Sequence, residues 1–184
     1  VAVSVFFMGQ FMLFTYLRPF LEGVTGVSVA TLSLMLLGLG LAGFIGTFVI
    51  ERFLGTGLYR TLTVIPLIMA VIALALVNFG ASPLLTAVLL GLWGLVATAA
   101  PVGWWTWLAQ TLPEDAEAGG GLLVAIVQLA IAAGAIVGGL AFDLSGYKAT
   151  FELSAAVLVI ASVLAWLSGR SAAQVHFVES NVVG

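Results

Sequence analysis

The sequence contains no cysteine and a single histidine, His176. Disulfide frameworks, thiolate chemistry and Cys/His metal sites are therefore excluded, and no metal or cofactor is expected. Charge is almost as scarce. There are only 5 Lys or Arg, scattered singly, and 8 Asp or Glu in 184 residues. No basic stripe can neutralise a phosphate backbone, so nucleic acid is not an expected partner. There is no G-x-S-x-G sequence and no nucleophile beside an activating base, which argues against an enzyme. An Asn-Pro-Ala half-helix signature is also missing, and with it an aquaporin-type channel. What fills the space is apolar: 62% of residues are hydrophobic and 7% charged, against roughly 25% charged in soluble domains, and the mean hydropathy is +1.27. This composition is that of an integral membrane protein.

Apolar runs, free of charge except for Glu152 near the start of the last, occupy residues 1–17, 29–50, 61–79, 84–112, 119–142 and 149–168. Each is near or above the roughly 20 residues that cross about 30 Å of hydrocarbon as a helix. A closed β-barrel would alternate polar and apolar residues instead. The expected fold is an all-α membrane bundle of six transmembrane helices over residues 1–169, with a cytoplasmic tail at 170–184. Short connections make consecutive helices antiparallel. Six spans put both ends on one side, with Arg52, Arg60 and Arg170, against Arg18 and Lys148 on the other. The positive-inside rule then places both ends in the cytoplasm. Val1 already lies in an apolar segment, so the chain reads as a piece of a longer one.

The stretch "PVGWWTWLAQTLPEDAEAGG" from Pro101 to Gly120 closes the fourth run. Pro101, beside Ala100 and Gly103, supplies a place to bend. Trp104, Trp105 and Trp107 sit at the depth where indole rings anchor helices. Trp104 and Trp107 share a face and Trp105 is turned about 100° away, so at least one ring points into the protein. Glu114, Asp115 and Glu117 precede the next helix, where negative charge is favourable.

Two ladders of small residues stand in corresponding places: Gly38, Ala42 and Gly46 in the second run, and Ala130, Gly134 and Gly138 in the fifth. Such ladders let a neighbouring helix approach closely. Glu51 and Gly55 follow the first, and Asp143 and Gly146 the second, at near-equal offsets. The sequence therefore divides into two inverted three-helix repeats, a plan found in secondary transporters.

"GTFVIERFLGTGLYR" resembles a degenerate Gly-x-x-x-Asp-Arg-x-Gly-Arg loop of the major facilitator superfamily, with Gly46, Glu51, Arg52 and Arg60 as its cytoplasmic loop residues. "FTYLRPFLE" and the segment from Ala100 to Asp143 resemble, more narrowly, bacterial efflux permeases of the drug:proton antiporter group, the arabinose or purine ribonucleoside efflux branch. The resemblance implies helices seven to twelve of a twelve-helix transporter in the bacterial inner membrane. It also implies an N-terminal six-helix half as partner, and proton-coupled efflux of a nucleoside, sugar or drug by alternating access. A self-pairing half-transporter and a non-transporting membrane partner are the alternatives.

Polar residues deep in apolar helices mark either packing hydrogen bonds or a wet cavity. Gln10 and Phe14 share a face of the first run; Thr98 and Trp105 lie seven apart on the fourth; Gln128 stands in the fifth. These five are the candidate substrate contacts, pairing hydrogen-bond partners with rings on which a small molecule can stack. Gln128 has the packing alternative of a bond between helices. Membrane lipid is the remaining partner.

Overall fold

The computed structural model describes residues 1–112 and 114–182, with only the backbone described at 56, 116 and 172–182. The expected tail at 170–184 thus lies largely outside the described side chains. Six α-helices follow in order: α1 Ala2–Phe14, α2 Leu17–Phe20, α3 Val29–Phe79, α4 Pro83–Ala97, α5 Ala99–Thr111 and α6 Ala116–Val182. A π-helical turn, Leu21–Thr25, joins α2 towards α3, and no strand occurs among the described residues.

Local chemistry sets several boundaries. Ser28 accepts from the Thr31 backbone N–H at 3.3 Å to open α3. Ser82 does the same for Leu85 at the start of α4, with Pro83 in the first turn. Both satisfy N–H groups that a helix start leaves free. Gly26, at φ 67 and ψ 29, closes the π-helical turn in the left-handed region, where a Cβ is costly.

Four segments are long and apolar enough to cross a membrane: Val29–Gly55, Gly57–Phe79, Pro83–Thr111 and Glu117–Ser171. This differs from the six expected spans in two places. The first run is broken at Thr15 and Tyr16, leaving α1 only 13 residues long. The fifth and sixth runs form one helical assignment of 55 residues, Glu117–Ser171, interrupted at Gly146 with φ 76 and ψ −174.

That interruption reverses the chain. Thr150 donates its hydroxyl to the Gly138 carbonyl at 3.1 Å, 12 residues back. In a straight helix that separation would be about 18 Å. Likewise, Thr61 reaches the Phe53 carbonyl at 3.5 Å across 8 residues, and α3 leaves helical geometry at Gly57. Each long assignment is therefore two arms folded on each other.

α1 packs chiefly on α6, and α3 packs on α4 and α6. Phe6, Phe20, Met69, Leu76, Trp93, Phe151 and Leu158 are fully or almost fully buried at the centre, where Phe20 and Phe151 lie 4.8 Å apart. The outer surface is equally apolar. Leu34, Leu37, Leu41, Phe44 and Phe48 are all exposed on the first arm of α3, a continuous apolar stripe suited to lipid rather than water. The chain is an all-helical integral membrane protein.

Candidate small-molecule cavity

Glycines bring the helices together. A Cβ at Gly134 or Gly138 would run into the α1 backbone at Met8 and Met12, and one at Gly46 into the Leu95 carbonyl of α4. Ala130 is buried beside the first pair. On α3, Gly43 supplies the second close approach, against Thr98 and Gly94, whereas Gly38 is exposed with open space around it and Ala42 is half-buried. The contact stripe on this arm is thus Gly43 and Gly46, not the whole Gly38–Ala42–Gly46 ladder.

The helical stretch from Pro83 to Thr111 is interrupted at Thr98, between α4 and α5, where the backbone stays in the right-handed helical region at φ −77 and ψ −22. Pro101 has no N–H to offer Ala97 and its ring crowds that carbonyl. Beyond the break, Trp104 turns inward at 5% exposure, with Phe6 at 6.3 Å and Trp107 edge-on at 6.2 Å. Trp105, at 43% exposure, faces outward. The opening of α6 follows, with Glu117 in its first turn and Glu114 and Asp115 exposed just before it.

Trp104 and Trp105 form one wall of a cavity of about 180 Å³ between α1, α5 and α6. Val3 and Phe7 form a second wall, and Leu123, Val127 and Gln128 a third. Gln128 is exposed, so its amide stands at the rim of an otherwise apolar, aromatic hollow. Of the five expected contacts, the structure brings Trp105 and Gln128 together here. Gln10 lies one turn beyond Phe7 on α1, 9% exposed, and its Oε1 has no hydrogen-bond partner. A buried acceptor left unpaired is costly.

The other two expected contacts lie elsewhere. Thr98 donates its hydroxyl to the Gly94 carbonyl and lies against Gly43. It is part of the α3–α4 packing and is not among the residues that line the Trp105 cavity. Phe14 is at the end of α1, 38% exposed and edge-on to Phe11 at 5.8 Å. The walls at Val3, Phe7 and Leu123 were not legible as a site, because apolar residues on an apolar helix carry no signal of their own.

The loop residues Glu51, Arg52 and Arg60 are all exposed. Among the described residues the one ion pair is Arg18 with Glu22, at 2.9 Å. No group of three or more potential metal ligands occurs among the described residues.

Comparison with known proteins starts from this membrane bundle and its cavity. The chain is 61% identical over 172 residues to the transcription regulatory protein OpdE of Pseudomonas aeruginosa PAO1, covering 94% of this chain and 43% of that protein. It is 37% identical over 164 residues to the purine ribonucleoside efflux pump NepI of Escherichia coli K12, covering 89% of this chain and 41% of the pump. The NepI of Salmonella enteritidis matches with the same identity and coverage. The chain therefore spans less than half the length of the relatives it matches. No family model matches it, and no solved structure does.

These findings correct the family assignment drawn from the loop motif. The chain is not supported as helices seven to twelve of a major facilitator superfamily transporter, since the relative at 61% identity is named a transcription regulatory protein. The motif itself was degenerate, with its acid and arginine displaced by one residue and its paired basic residues reduced to Arg60. Four scattered residues, Gly46, Glu51, Arg52 and Arg60, in a chain with 22 glycines carry little family information.

Proposed function

We propose that this chain belongs to a membrane efflux transporter for a small organic molecule, and that the cavity between α1, α5 and α6 is part of its path. The observation that carries this is the pairing of Trp105 and Gln128 in one hollow of about 180 Å³. A ring to stack on and an amide to hydrogen-bond are what a flat polar solute needs. Similarity to proteins named purine ribonucleoside efflux pumps makes a nucleoside the first solute to try. Gln10, three residues past Phe7 on α1, adds a buried acceptor without a partner, although it does not line the hollow itself.

The internal architecture supports six spans in two inverted units. Span two meets span four at Gly46 and Leu95, while span five meets span one at Gly134 and Met8. Span six meets span one through Ser154 and the Gly9 carbonyl at 2.7 Å; span three meets span four where Leu62 abuts Gly103. A two-fold operation exchanging spans one to three with four to six carries each contact into its counterpart. Span three and span six, joined by Ser162 to the Thr63 carbonyl at 2.7 Å, exchange with each other. Such symmetry suits alternating access, in which one repeat rocks against another around a shared site. The location we infer is the inner membrane, with both ends of this segment cytoplasmic, and no catalytic chemistry is assigned to it.

A regulatory role has the 61% identity to OpdE in its favour. With so few basic residues, this segment does not supply a direct contact with DNA. A transporter affects transcription by setting the internal concentration of a molecule that a regulator senses, so the two names are compatible. The test uses the full-length protein in proteoliposomes loaded with a purine ribonucleoside. Trp105→Ala should lower flux about tenfold, in line with a stacking contact of about 1–3 kcal/mol, while Phe14→Ala leaves it near normal. Equal flux in all three proteins would remove this cavity from the path, and no flux above background in the unmodified protein would overturn the transport reading.

A further inference from the structure

A larger cavity, about 560 Å³, lies between the two arms of α3 and the α4–α5 junction, apart from the hollow beside Trp105. Its sides are Val49 and Ile50 on the first arm and Val64, Ile65 and Ile68 on the second; its floor is Leu95, Val96 and Ala99. Two lining side chains are polar, Arg60 and Thr61. The Thr61 hydroxyl is already committed to the Gly57 carbonyl at 3.1 Å and the Phe53 carbonyl at 3.5 Å. Arg60 forms no ion pair among the described residues, and its guanidinium carries five N–H donors.

This division selects the ligand. A nucleoside or sugar needs several polar partners around it, and here one cation stands at one end of an apolar slot. Arg60 is three residues past the turn at Gly57, whereas Ile68 is eight residues further along the arm, about 12 Å deeper. The matching molecule has a single anionic head and an apolar body of at least that length. Basic residues at the membrane surface beside interhelical pockets attract anionic headgroups in this manner. We propose that this cavity holds an anionic glycerophospholipid, its phosphate on Arg60 and an acyl chain along Ile50, Val64 and Ile68.

The test is native mass spectrometry of the full-length protein released from nanodiscs of phosphatidylcholine containing a limiting fraction of phosphatidylglycerol. The unmodified protein should retain one phosphatidylglycerol in preference to phosphatidylcholine. Arg60→Gln should cut that preference about fivefold, the worth of one basic residue near the surface, and Arg60→Lys should keep most of it. Val64→Trp, at an exposed position of the slot, should expel either lipid while leaving Arg60 in place. Thermal stability in detergent checks that each variant is folded. An undiminished preference in Arg60→Gln would overturn the proposal, as would lipid retention in Val64→Trp. Failure of the unmodified protein to retain any lipid would overturn it as well. Displacement of the lipid by glycerol 3-phosphate would point to a free phosphate compound as the occupant.

Discussion

Gly134 and Gly46 each lie against the backbone of another helix, and neither neighbour has a side-chain torsion with which to make room. A methyl added at Gly134 meets the Met8 carbonyl, and at Gly46 the Leu95 carbonyl. Helix propensity alone would favour alanine at both positions by up to about 1 kcal/mol. The steric term decides, because inserting atoms into a closed interface costs about 1–3 kcal/mol and forces the helices apart. Gly134→Ala and Gly46→Ala should therefore lower the thermal midpoint in detergent, whereas Gly38→Ala, which meets nothing, should leave it unchanged or slightly raised. Equal midpoints for all three would mean that the close approaches contribute nothing to stability. Hydropathy could not separate Gly38 from Gly43, since both sit on a helix that is apolar on every side. In a membrane the protein-facing and lipid-facing stripes have similar polarity, so small residues mark possible approaches without saying which is used.

The reversal of α6 depends on one backbone conformation. Gly146 has φ 76 and ψ −174, a region essentially confined to glycine, where other residues cost about 1–3 kcal/mol. Gly26, at φ 67 and ψ 29, is in the ordinary left-handed region that Asn also tolerates. Substitution should separate the two turns: Gly26→Asn should be nearly neutral, while Gly146→Asn should destabilise as much as Gly146→Ala. Thermal unfolding followed by tryptophan fluorescence checks both, and rescue at 146 by Asn would show that the turn relaxes to the left-handed form. The two reversals were legible as connections, since "ERFLGTGLYR" and "DLSGYK" interrupt the apolar runs with charge and glycine. Their tightness was not. A polar interruption shows that the chain leaves the hydrocarbon, but whether it does so through a loop or a single kink is settled by contacts such as Thr150 to Gly138. The break after α1 was hidden for the opposite reason: Thr15 returns its hydroxyl to the Phe11 carbonyl at 2.7 Å, so its polarity never surfaces as a loop.

At the scale of the whole segment, the six spans proposed above would alternate and so place the connections in two sets. The segment around residue 23, the turn at 81 and the reversal at 145–146 form one set; the turn near Gly55 and the start of α6 form the other. Arg52 and Arg60 belong to the second set, Arg18 and Lys148 to the first. In the orientation proposed above the second set is cytoplasmic; acidic residues add little, so that proposal rests on Arg52, Arg60 and Arg170 against Arg18 and Lys148. Because the segment has no cysteine, single cysteines can report on this in intact cells, with any cysteine elsewhere in the full-length protein replaced. Gly23, Ala81, Ser145, Gly55 and Glu117 are all exposed, so each tolerates the change without disturbing the core. A membrane-impermeant maleimide added outside should label Gly23→Cys, Ala81→Cys and Ser145→Cys, and reach Gly55→Cys and Glu117→Cys only after permeabilisation. The reverse pattern would keep the fold and invert its orientation. Labelling of Ala81→Cys and Ser145→Cys from opposite sides would remove one crossing between them, and with it the two-fold relation between the units.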